Sequence, residues 1–441
     1  MKIKNSIVVL YVLAMTGILS AQSYKAMWVW SSGSVVGNVA QENILVNECL
    51  RIGVTDLFLY TPAVLKTSKI AALRAFIEKS SCNSIRVWGM DGWRGYFSDL
   101  CGPGEFYGFI QDVIDYNNSS KKEERFFGFH GDNEFHAYES ECGGGDAFHY
   151  GQSDANLNTV SGGVWYASEK EDRSNLMIDF IQQTETAHSM CQNAGLEYSI
   201  SVMPWVSATS YSHNAIGWQS TPLFATYKGV TKEVYKHLMD YLDEYVVMSY
   251  HTNIPGKVIN MLEDELAYAD GMLPENRPRV LSGTETHCDV GQYVSYCDTP
   301  GEDNKNHVES EIELHYNLLS EHESYSGIAI HDWKGWKELP AVSNNSVSPP
   351  GKACVSVGIF SDTKPHNFEV YPNPGMHTVK VTFDDLDGGI VRLYSLEGIE
   401  VFSKDVIGRS FLMDVTTLPL GVYVIAIEGK SGQSSQKFVK E

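Results

Sequence analysis

The sequence predicts a (β/α)8 barrel of the TIM type, an α/β fold, followed by a small all-β sandwich. Three observations lead to this prediction. Apolar, β-branched segments alternate with helical patterns eight times between residues 26 and 339, which is the repeat and the length typical of such barrels. After residue 368, short runs rich in Val, Ile, Tyr and Phe are separated by Pro, Asn and Gly turns. No Gly-x-Gly-x-x-Gly or Walker-type loop follows a strand, which removes the nucleotide-binding reason for the alternative, a doubly wound open sheet.

The chain is strongly acidic, with a formal net charge of −22 at pH 7. This charge argues against nucleic acids and anionic membrane surfaces as partners, because both would repel it. Aromatic residues make up 12% of the chain. Most of them are expected in the core, but exposed aromatic faces are the usual platforms for sugar rings. The composition therefore favours a soluble protein that handles neutral ligands.

The amino-terminal residues predict a signal peptide over residues 1–21. Lys2 and Lys4 precede a mostly apolar stretch from residue 6 to 19, and Ser20-Ala21 offers a small-residue cleavage site. The stretch is short for a membrane span, and no other segment is apolar enough to cross a bilayer. We therefore expect export, and with it an oxidising environment that permits disulfides. Among the eight cysteines, Cys288 and Cys297 are the pair expected to be bonded, and the remaining connectivity stays open.

Eight strands are predicted over residues 22–340, the barrel region, because each is a short apolar run bounded by turn residues. They cover residues 26–30, 55–60, 84–90, 126–134, 197–202, 244–250, 279–285 and 327–331. Helical spacing of apolar residues predicts helices between them, at residues 70–79, 106–116, 173–193, 231–242, 255–269 and 307–321. Two long insertions, residues 137–168 and 204–229, follow strands four and five, and so belong to the carboxyl-terminal face where barrel enzymes build their sites.

Strand four carries an unusual row of ionisable residues. His130, Asp132 and Glu134 alternate along it, so they share the face that points into a barrel. Three such groups in one inward row cost too much desolvation to be a packing choice, which predicts a function for them. The ends of three other strands bring further polar side chains to the same rim, namely Tyr250, Glu285 and His331.

These motifs resemble glycoside hydrolase family 18. The shared features are a strand-four motif ending in Asp-x-Glu, the strand-six run Met248-Ser249-Tyr250, and Trp333 after strand eight. The resemblance implies that Glu134 is the general acid, that Asp132 positions an acetamido group of the substrate, and that Tyr250 supports it.

Two positions depart from that family, and a second resemblance competes with the first. His130 stands where the family has another Asp, and His251 replaces the usual Asp after the strand-six Tyr. Asn133-Glu134 ending strand four, with Glu285 ending strand seven, is similar to the acid and the nucleophile of clan A retaining glycosidases. Those enzymes hold their two carboxylates about 5–5.5 Å apart. The barrel as a whole also looks like secreted Bacteroidetes barrels described as glycoside-hydrolase-like, which implies no particular reaction.

Residues 368–441, the tail, contain sequence motifs of their own. Three blocks follow one another in it, residues 368–374, 389–398 and 420–427. They resemble the C-terminal sorting domain of the type IX secretion system of Bacteroidetes. The resemblance implies that the tail is an address read by the type IX secretion machinery and that the protein is secreted or attached to the cell surface. Residues 341–367, rich in Ser, Asn, Val, Pro and Gly, predict a semi-extended linker before it.

Several rim residues are expected to bind substrate. The candidates are Trp30, His130, Trp205, His331 and Trp333. A divalent metal site built from His130, Asp132, His136 and His149 is the weaker alternative. No His-x-His or His-Glu-x-x-His signature occurs, so we expect no metal and no cofactor.

The leading interpretation is a secreted or cell-surface glycosidase that acts on an extracellular poly- or oligosaccharide. Glu134 would protonate the leaving oxygen, and Asp132 or Glu285 would stabilise or attack the anomeric centre. The alternative is a non-catalytic carbohydrate-binding or adhesion protein on the same barrel, because a fold does not specify a reaction. The sequence leaves the sugar, the linkage and the stereochemical outcome open.

Overall fold

The computed structural model describes residues 24–92, 96, 102–134, 170–207, 224–340 and 368–440, the last range with short gaps at 384–388, 396–399, 407, 409, 417 and 430–431. The chain divides into two compact units between residues 349 and 350. This division falls inside the predicted linker, which lies outside the described residues, as does the predicted signal peptide. The first unit is an α/β barrel and the second is all-β, so the predicted fold class is confirmed.

Eight parallel strands close into a barrel, and each pairs with the next barrel strand along the chain until the last pairs with the first. They are β1 (Tyr24–Val29), β2 (Asp56–Tyr60), β3 (Arg86–Asp91), β4 (Gly128–Gly131), β5 (Glu197–Val202), β8 (Glu244–Val247), β9 (Arg279–Glu285) and β10 (Tyr325–His331). A two-stranded hairpin, β6 (Phe224–Tyr227) and β7 (Val230–Glu233), separates β5 from β8 in the chain.

Helices connect the barrel strands. The described ones are α1 (Ser32–Val35), α2 (Val39–Ile52), α3 (Ile70–Cys82), α4 (Gly102–Asn118), α5 (Lys170–Asn193), α6 (Val234–Met239), α7 (Glu263–Asp270), α8 (Lys305–Leu319) and α9 (Trp333–Glu338). Helix α2 was not predicted, although its ends carry ordinary signals. The Asn38 side chain accepts a hydrogen bond from the Gln41 N–H at its start, and Gly53 ends it with a left-handed φ of 76°.

Two predicted helices are corrected. The segment predicted as a helix over residues 231–242 begins as strand β7, because Lys228 and Gly229 both adopt positive φ, 49° and 81°. Two such residues in succession form the kind of turn that joins a hairpin. The helix predicted over residues 255–269 starts with irregular turns, Ile254–Val258 and Ile259–Met261, and becomes regular only in α7.

The barrel has a packed interior with an ionic layer at its amino-terminal end. Arg86 pairs with Asp56 at 2.8 Å, and Arg279 pairs with the fully buried Glu244 at 3.3 Å. Above this layer, apolar side chains fill the centre, namely Ala26, Trp28, Phe58, Trp88, Met90, Val246, Leu281 and Ala329. A larger apolar cluster lies between the strands and the helices. The amino-terminal end is therefore closed, which leaves the carboxyl-terminal end for a site.

The second unit consists of two antiparallel sheets. One contains β11 (Phe368–Tyr371), β12 (Thr378–Phe383) and β15 (Ser410–Asp414). The other contains β13 (Gly389–Ser395), β14 (Glu400–Val406), β16 (Gly421–Gly429) and β17 (Gly432–Lys440). One hydrophobic cluster takes residues from both sheets, among them Val379, Val381, Leu393 and Ile425. This unit therefore has a core of its own.

Candidate active site

His130 on β4 forms part of the floor of the site. Its ring is 0% exposed and stacks on Phe58, with 3.9 Å between the ring centroids. The Ser199 hydroxyl donates to Glu244 Oε1 at 3.1 Å, so Ser199 Oγ accepts the proton of His130 Nδ1 at 2.9 Å. Burial lowers the pKa of His130 to about 3, so the ring is neutral. This corrects the prediction that His130 binds substrate, because a fully covered ring presents nothing to a ligand.

Asp132 lies just beyond the end of β4. Its N–H donates to the carbonyl of Asp91 at 3.0 Å, so the chain stays paired with β3 for one residue after the strand. The hydroxyl of Ser201, on β5, donates to Asp132 Oδ1. Burial raises the pKa of Asp132, and the hydrogen bond from Ser201 and the charge of His331 only partly oppose this. Asp132 therefore keeps its proton to a higher pH than an ordinary aspartic acid.

Strand four is shorter than predicted, but its alternation continues past the strand. β4 ends at Gly131, whereas residues 126–134 were predicted to be extended. Asn133 turns away from the barrel, and its Nδ2 donates to Gln183 Oε1 on α5 at 2.7 Å. Asp132 and the half-buried Glu134 turn the other way, towards the barrel mouth.

Tyr250 is the residue on which the acidic side chains of the site converge. Burial raises the pKa of its phenol well above the usual value, and four nearby carboxylates raise it further: Glu285, Asp132, Glu134 and Asp332. Such effects weaken with distance, so these carboxylates, which come from three different strand ends, lie around one phenol. The phenol is neutral and can donate its proton in a hydrogen bond. The structure thus brings together the four predicted catalytic residues.

Glu285, the last residue of β9, is held firmly in place. It is 3% exposed, and its Oε1 accepts from the His287 N–H at 2.7 Å. His331 Nδ1 lies 2.8 Å from the other oxygen, Oε2. On the far side of that ring, Trp30 Nε1 donates to His331 Nε2 at 3.1 Å. An indole N–H can only donate, so Nε2 is the lone-pair nitrogen and Nδ1 carries the proton. Trp30 and His331 therefore support Glu285.

The protonation of His331 is balanced between opposing effects. Burial lowers its pKa, but the hydrogen bond and the charge of Glu285, together with the charges of Asp332 and Asp132, raise it, and the net direction is upward. The Trp30 N–H limits this rise, because a proton on Nε2 would face another donor. The hydrogen bond from Trp30 is compatible only with the neutral ring, whose Nδ1 proton then points to Glu285.

Trp205 and Trp333 do not line the mouth. Trp205 lies in a 3-10 turn, Pro204–Val206, and is 3% exposed. Trp333 is the first residue of α9 and is 1% exposed. Both rings belong to the apolar cluster outside the barrel strands. The prediction that they bind sugar is corrected, because a ring without an accessible face cannot stack on a ligand. Trp30 is half-buried and packs beside Tyr60, with ring centroids 5.5 Å apart.

Asp91, the last residue of β3, is a further buried carboxylate that was not predicted from the sequence. It is 2% exposed, accepts from the Gly92 N–H at 2.9 Å and from the Tyr96 hydroxyl, and burial raises its pKa to about 6. Its charge also raises the pKa of Tyr60, after the effect of burial. The signal was present, since a carboxylate directly follows an apolar run. The predicted strand, however, ended one residue early, at Met90.

Nothing in the described part of the chain groups three His, Cys, Asp or Glu side chains as metal ligands. Two members of the alternative metal set, His136 and His149, lie outside the described residues. So do the first insertion, residues 137–168, and residues 208–223 of the second.

Solved structures similar to the chain include several glycoside hydrolases. An endo-β-1,4-mannanase from Thermotoga petrophila has a TM-score of 0.42 and 11% identity, covering 96% of this chain and 98% of that one. A chitinase from Chromobacterium violaceum has a TM-score of 0.37 and 12% identity, covering 71% and 98%. The spore cortex-lytic enzyme SleL from Bacillus megaterium has a TM-score of 0.38 and 15% identity, covering 73% and 75%. Likenesses of this strength carry no argument about the reaction.

No curated protein sequence matches the chain. Within the described ranges, no helix has the length and apolar character needed to cross a bilayer. The tail does have a family match: residues 369–441 match the model of the secretion system C-terminal sorting domain. The type IX secretion tail predicted from the sequence is thereby confirmed, and the protein is exported to the cell surface or the extracellular space.

Proposed function

We propose that the barrel is a glycoside hydrolase that cleaves an extracellular poly- or oligosaccharide by carboxylate acid–base catalysis. The observation that carries the proposal is the grouping of Asp132, Glu134 and Glu285 near the phenol of Tyr250. Carboxylates brought together in a partly desolvated mouth destabilise the fold, because like charges repel and burial disfavours each of them. Active sites are where such groups are found. The sorting tail adds that the substrate lies outside the cell.

Each residue has a proposed role. Glu134 donates a proton to the leaving oxygen, and its half-buried position keeps it within reach of a ligand. Glu285, oriented by His331 and the His287 N–H, is a fixed carboxylate suited to stabilising or attacking the anomeric centre. Asp132 stays protonated longer than usual and donates a hydrogen bond to the substrate. Tyr250, with its raised phenol pKa, supplies a second neutral donor.

The second candidate function is a carbohydrate-binding protein without catalysis. It is favoured by the environment of Glu285, which is 3% exposed and already accepts a hydrogen bond on each oxygen. Both bonds would weaken it as a nucleophile, since they stabilise its negative charge. A barrel that only binds would retain the rim but release no product.

Replacing Glu134 by Gln tests the catalytic role. Gln keeps the shape of the side chain but cannot donate the catalytic proton, so kcat should fall by about 10²–10⁴-fold while glycan binding and the melting temperature hold. A matched control is Glu197→Gln, at the amino-terminal end of β5, where the carboxylate pairs with Arg279 far from the mouth. This control should keep its kcat.

The outcomes separate the two candidates. Undiminished hydrolysis by the Glu134→Gln protein would remove Glu134 from the mechanism. Wild-type protein that binds a glycan but releases no product from any member of a glycan panel would favour the binding function. A large drop in melting temperature on Glu134→Gln would make this residue structural.

A further inference from the structure

The loop between β9 and α8, residues 286–304, is held in its conformation by a disulfide and by several side-chain hydrogen bonds. It contains the disulfide Cys288–Cys297, which confirms the pair expected from the sequence. Directly after that ring, the Asp298 carboxylate accepts hydrogen bonds at 2.7–3.0 Å from three consecutive N–H groups inside it, those of Asp289, Val290 and Gly291. Loops of this kind hold functional side chains on barrels.

Tyr293 is fixed in this loop by both of its backbone groups. Its N–H donates to Thr299 Oγ1 at 3.0 Å, and the Thr299 hydroxyl in turn donates to the carbonyl of Ser295 at 2.8 Å. The carbonyl of Tyr293 accepts from the Thr252 N–H at 2.9 Å. Thr252 comes two residues after Tyr250, so the Tyr293 backbone bridges the loops that follow β8 and β9. The first of these loops contains Tyr250, and the second directly follows Glu285.

The conformation of Tyr293 does not help the fold. Its φ is 66°, in the left-handed region that costs free energy for a residue with a side chain. Its side chain is 55% exposed, so the ring adds little to the core. Exposure alone would mean little: Phe224 on β6 is 52% exposed and has no left-handed backbone. A strained, anchored and exposed aromatic at the rim of a site is a feature that function explains better than folding.

We propose that Tyr293 is the aromatic platform of a glycan-binding subsite at the rim between β8 and β9. The inference rests on the proposed function and narrows its substrate to an oligosaccharide long enough to reach from the carboxylates around Tyr250 to Tyr293. The aromatic face packs on the C–H face of a sugar ring, and the phenol hydroxyl binds a sugar hydroxyl. The net charge of −22 favours a neutral or cationic glycan over a polyanionic one.

The test uses the full chain and two variants of the same position. Tyr293→Gly removes the ring and relieves the left-handed backbone, whereas Tyr293→Phe keeps the ring. Binding is measured calorimetrically with chito- and manno-oligosaccharides, each as the disaccharide and the hexasaccharide. We expect Tyr293→Gly to weaken hexasaccharide binding by about tenfold, leave disaccharide binding unchanged, and keep or raise the melting temperature. Tyr293→Phe should bind the hexasaccharide within about threefold of wild type, since the face remains.

Phe224→Ala is the matched control, because it removes an equally exposed ring from the β6–β7 hairpin, which packs on helix α5 through the hydrogen bond from Tyr227 to Glu185, and it should change neither binding constant. Equal hexasaccharide affinity in wild type and Tyr293→Gly would overturn the platform, as would a fall in melting temperature or the absence of wild-type binding to every probe. Ring-dependent binding without product would leave the platform standing and end the catalytic proposal. Hexasaccharide hydrolysis that is unaffected by Tyr293→Gly would end the platform and leave the catalytic proposal standing.

Discussion

The indole of Trp30 decides which nitrogen of His331 carries the proton. The two residues lie 301 positions apart in the chain and meet because β1 and β10 are neighbours in the closed barrel. The donor-only N–H of Trp30 requires a lone pair on Nε2, and this leaves the Nδ1 proton for Glu285. A second layer of side chains thus orients the carboxylate proposed to act at the anomeric centre.

Trp30→Phe should therefore raise the pKa of His331. The change deletes a hydrogen bond of about 1 kcal/mol that exists only while Nε2 is unprotonated, so protonation is no longer opposed there. Nitrogen-detected NMR of the ring across pH measures both the pKa and the tautomer. Tyr60→Phe, which keeps the ring packed beside Trp30, is the control and should titrate like wild type. Identical titration curves for wild type and Trp30→Phe would show that the indole has no such role.

Helix α7 carries a buried acid that makes stability depend on pH. Glu265 is 0% exposed, and neither of its oxygens has a hydrogen-bond partner among the described residues. Ser207 lies beside it, but its hydroxyl donates to the Pro204 carbonyl at 3.1 Å. Burial raises the pKa of Glu265 to about 8. The helix therefore packs with a neutral carboxyl, and ionisation works against the folded state.

The sign of the effect follows from the protons bound in each state. Between the unfolded pKa, about 4.3, and about 8, the folded chain holds a proton that the unfolded chain has lost, so stability falls as pH rises. The contribution is at most about 1.4 kcal/mol per pH unit. Glu265→Gln should remove it, so that the variant gains melting temperature relative to wild type from pH 5 to 8. Glu263→Gln, on the exposed face of the same helix, should run parallel to wild type. If the melting temperature of Glu265→Gln also ran parallel to that of wild type across this pH range, the raised pKa assigned to Glu265 would be wrong.

The whole molecule combines a sorting tail with a barrel that contains the candidate site. The barrel and the tail have distinct hydrophobic clusters with no shared residue. Residues 369–441 match the sorting domain, and the candidate site lies entirely within the barrel. Export and chemistry are therefore expected to be separable.

Deleting residues 368–441 should strand the protein in the periplasm without changing the melting of the barrel. Cell fractionation measures the first outcome and calorimetry of the purified barrel the second. Val381→Asp, which places a charge in the core of the tail, should block export in the same way, because it unfolds the address. Normal export of the truncated chain would refute the address, and a lost cooperative melt would show that the tail supports the barrel.

Local pattern was enough to predict the architecture. The bounds of β5 and β9 match the predicted segments 197–202 and 279–285, because apolar runs end there at turn residues. Asp132, Glu134, Tyr250 and Glu285 could be placed together because the carboxyl ends of parallel barrel strands always meet at one face. The export tail could be predicted equally well, because each of its blocks is a contiguous run of residues.

Burial, protonation and long-range contacts were decided only by the tertiary structure. Trp205 and Trp333 follow strands like rim residues, but helices and strands close over them, and no periodicity records which aromatic ring stays exposed. His130 is neutral because burial among side chains from other strands, Phe58 among them, lowers its pKa. These outcomes depend on side chains that meet across the barrel. The pattern of residues along the chain predicts which face of a strand a side chain lies on, but not which side chains it contacts on that face.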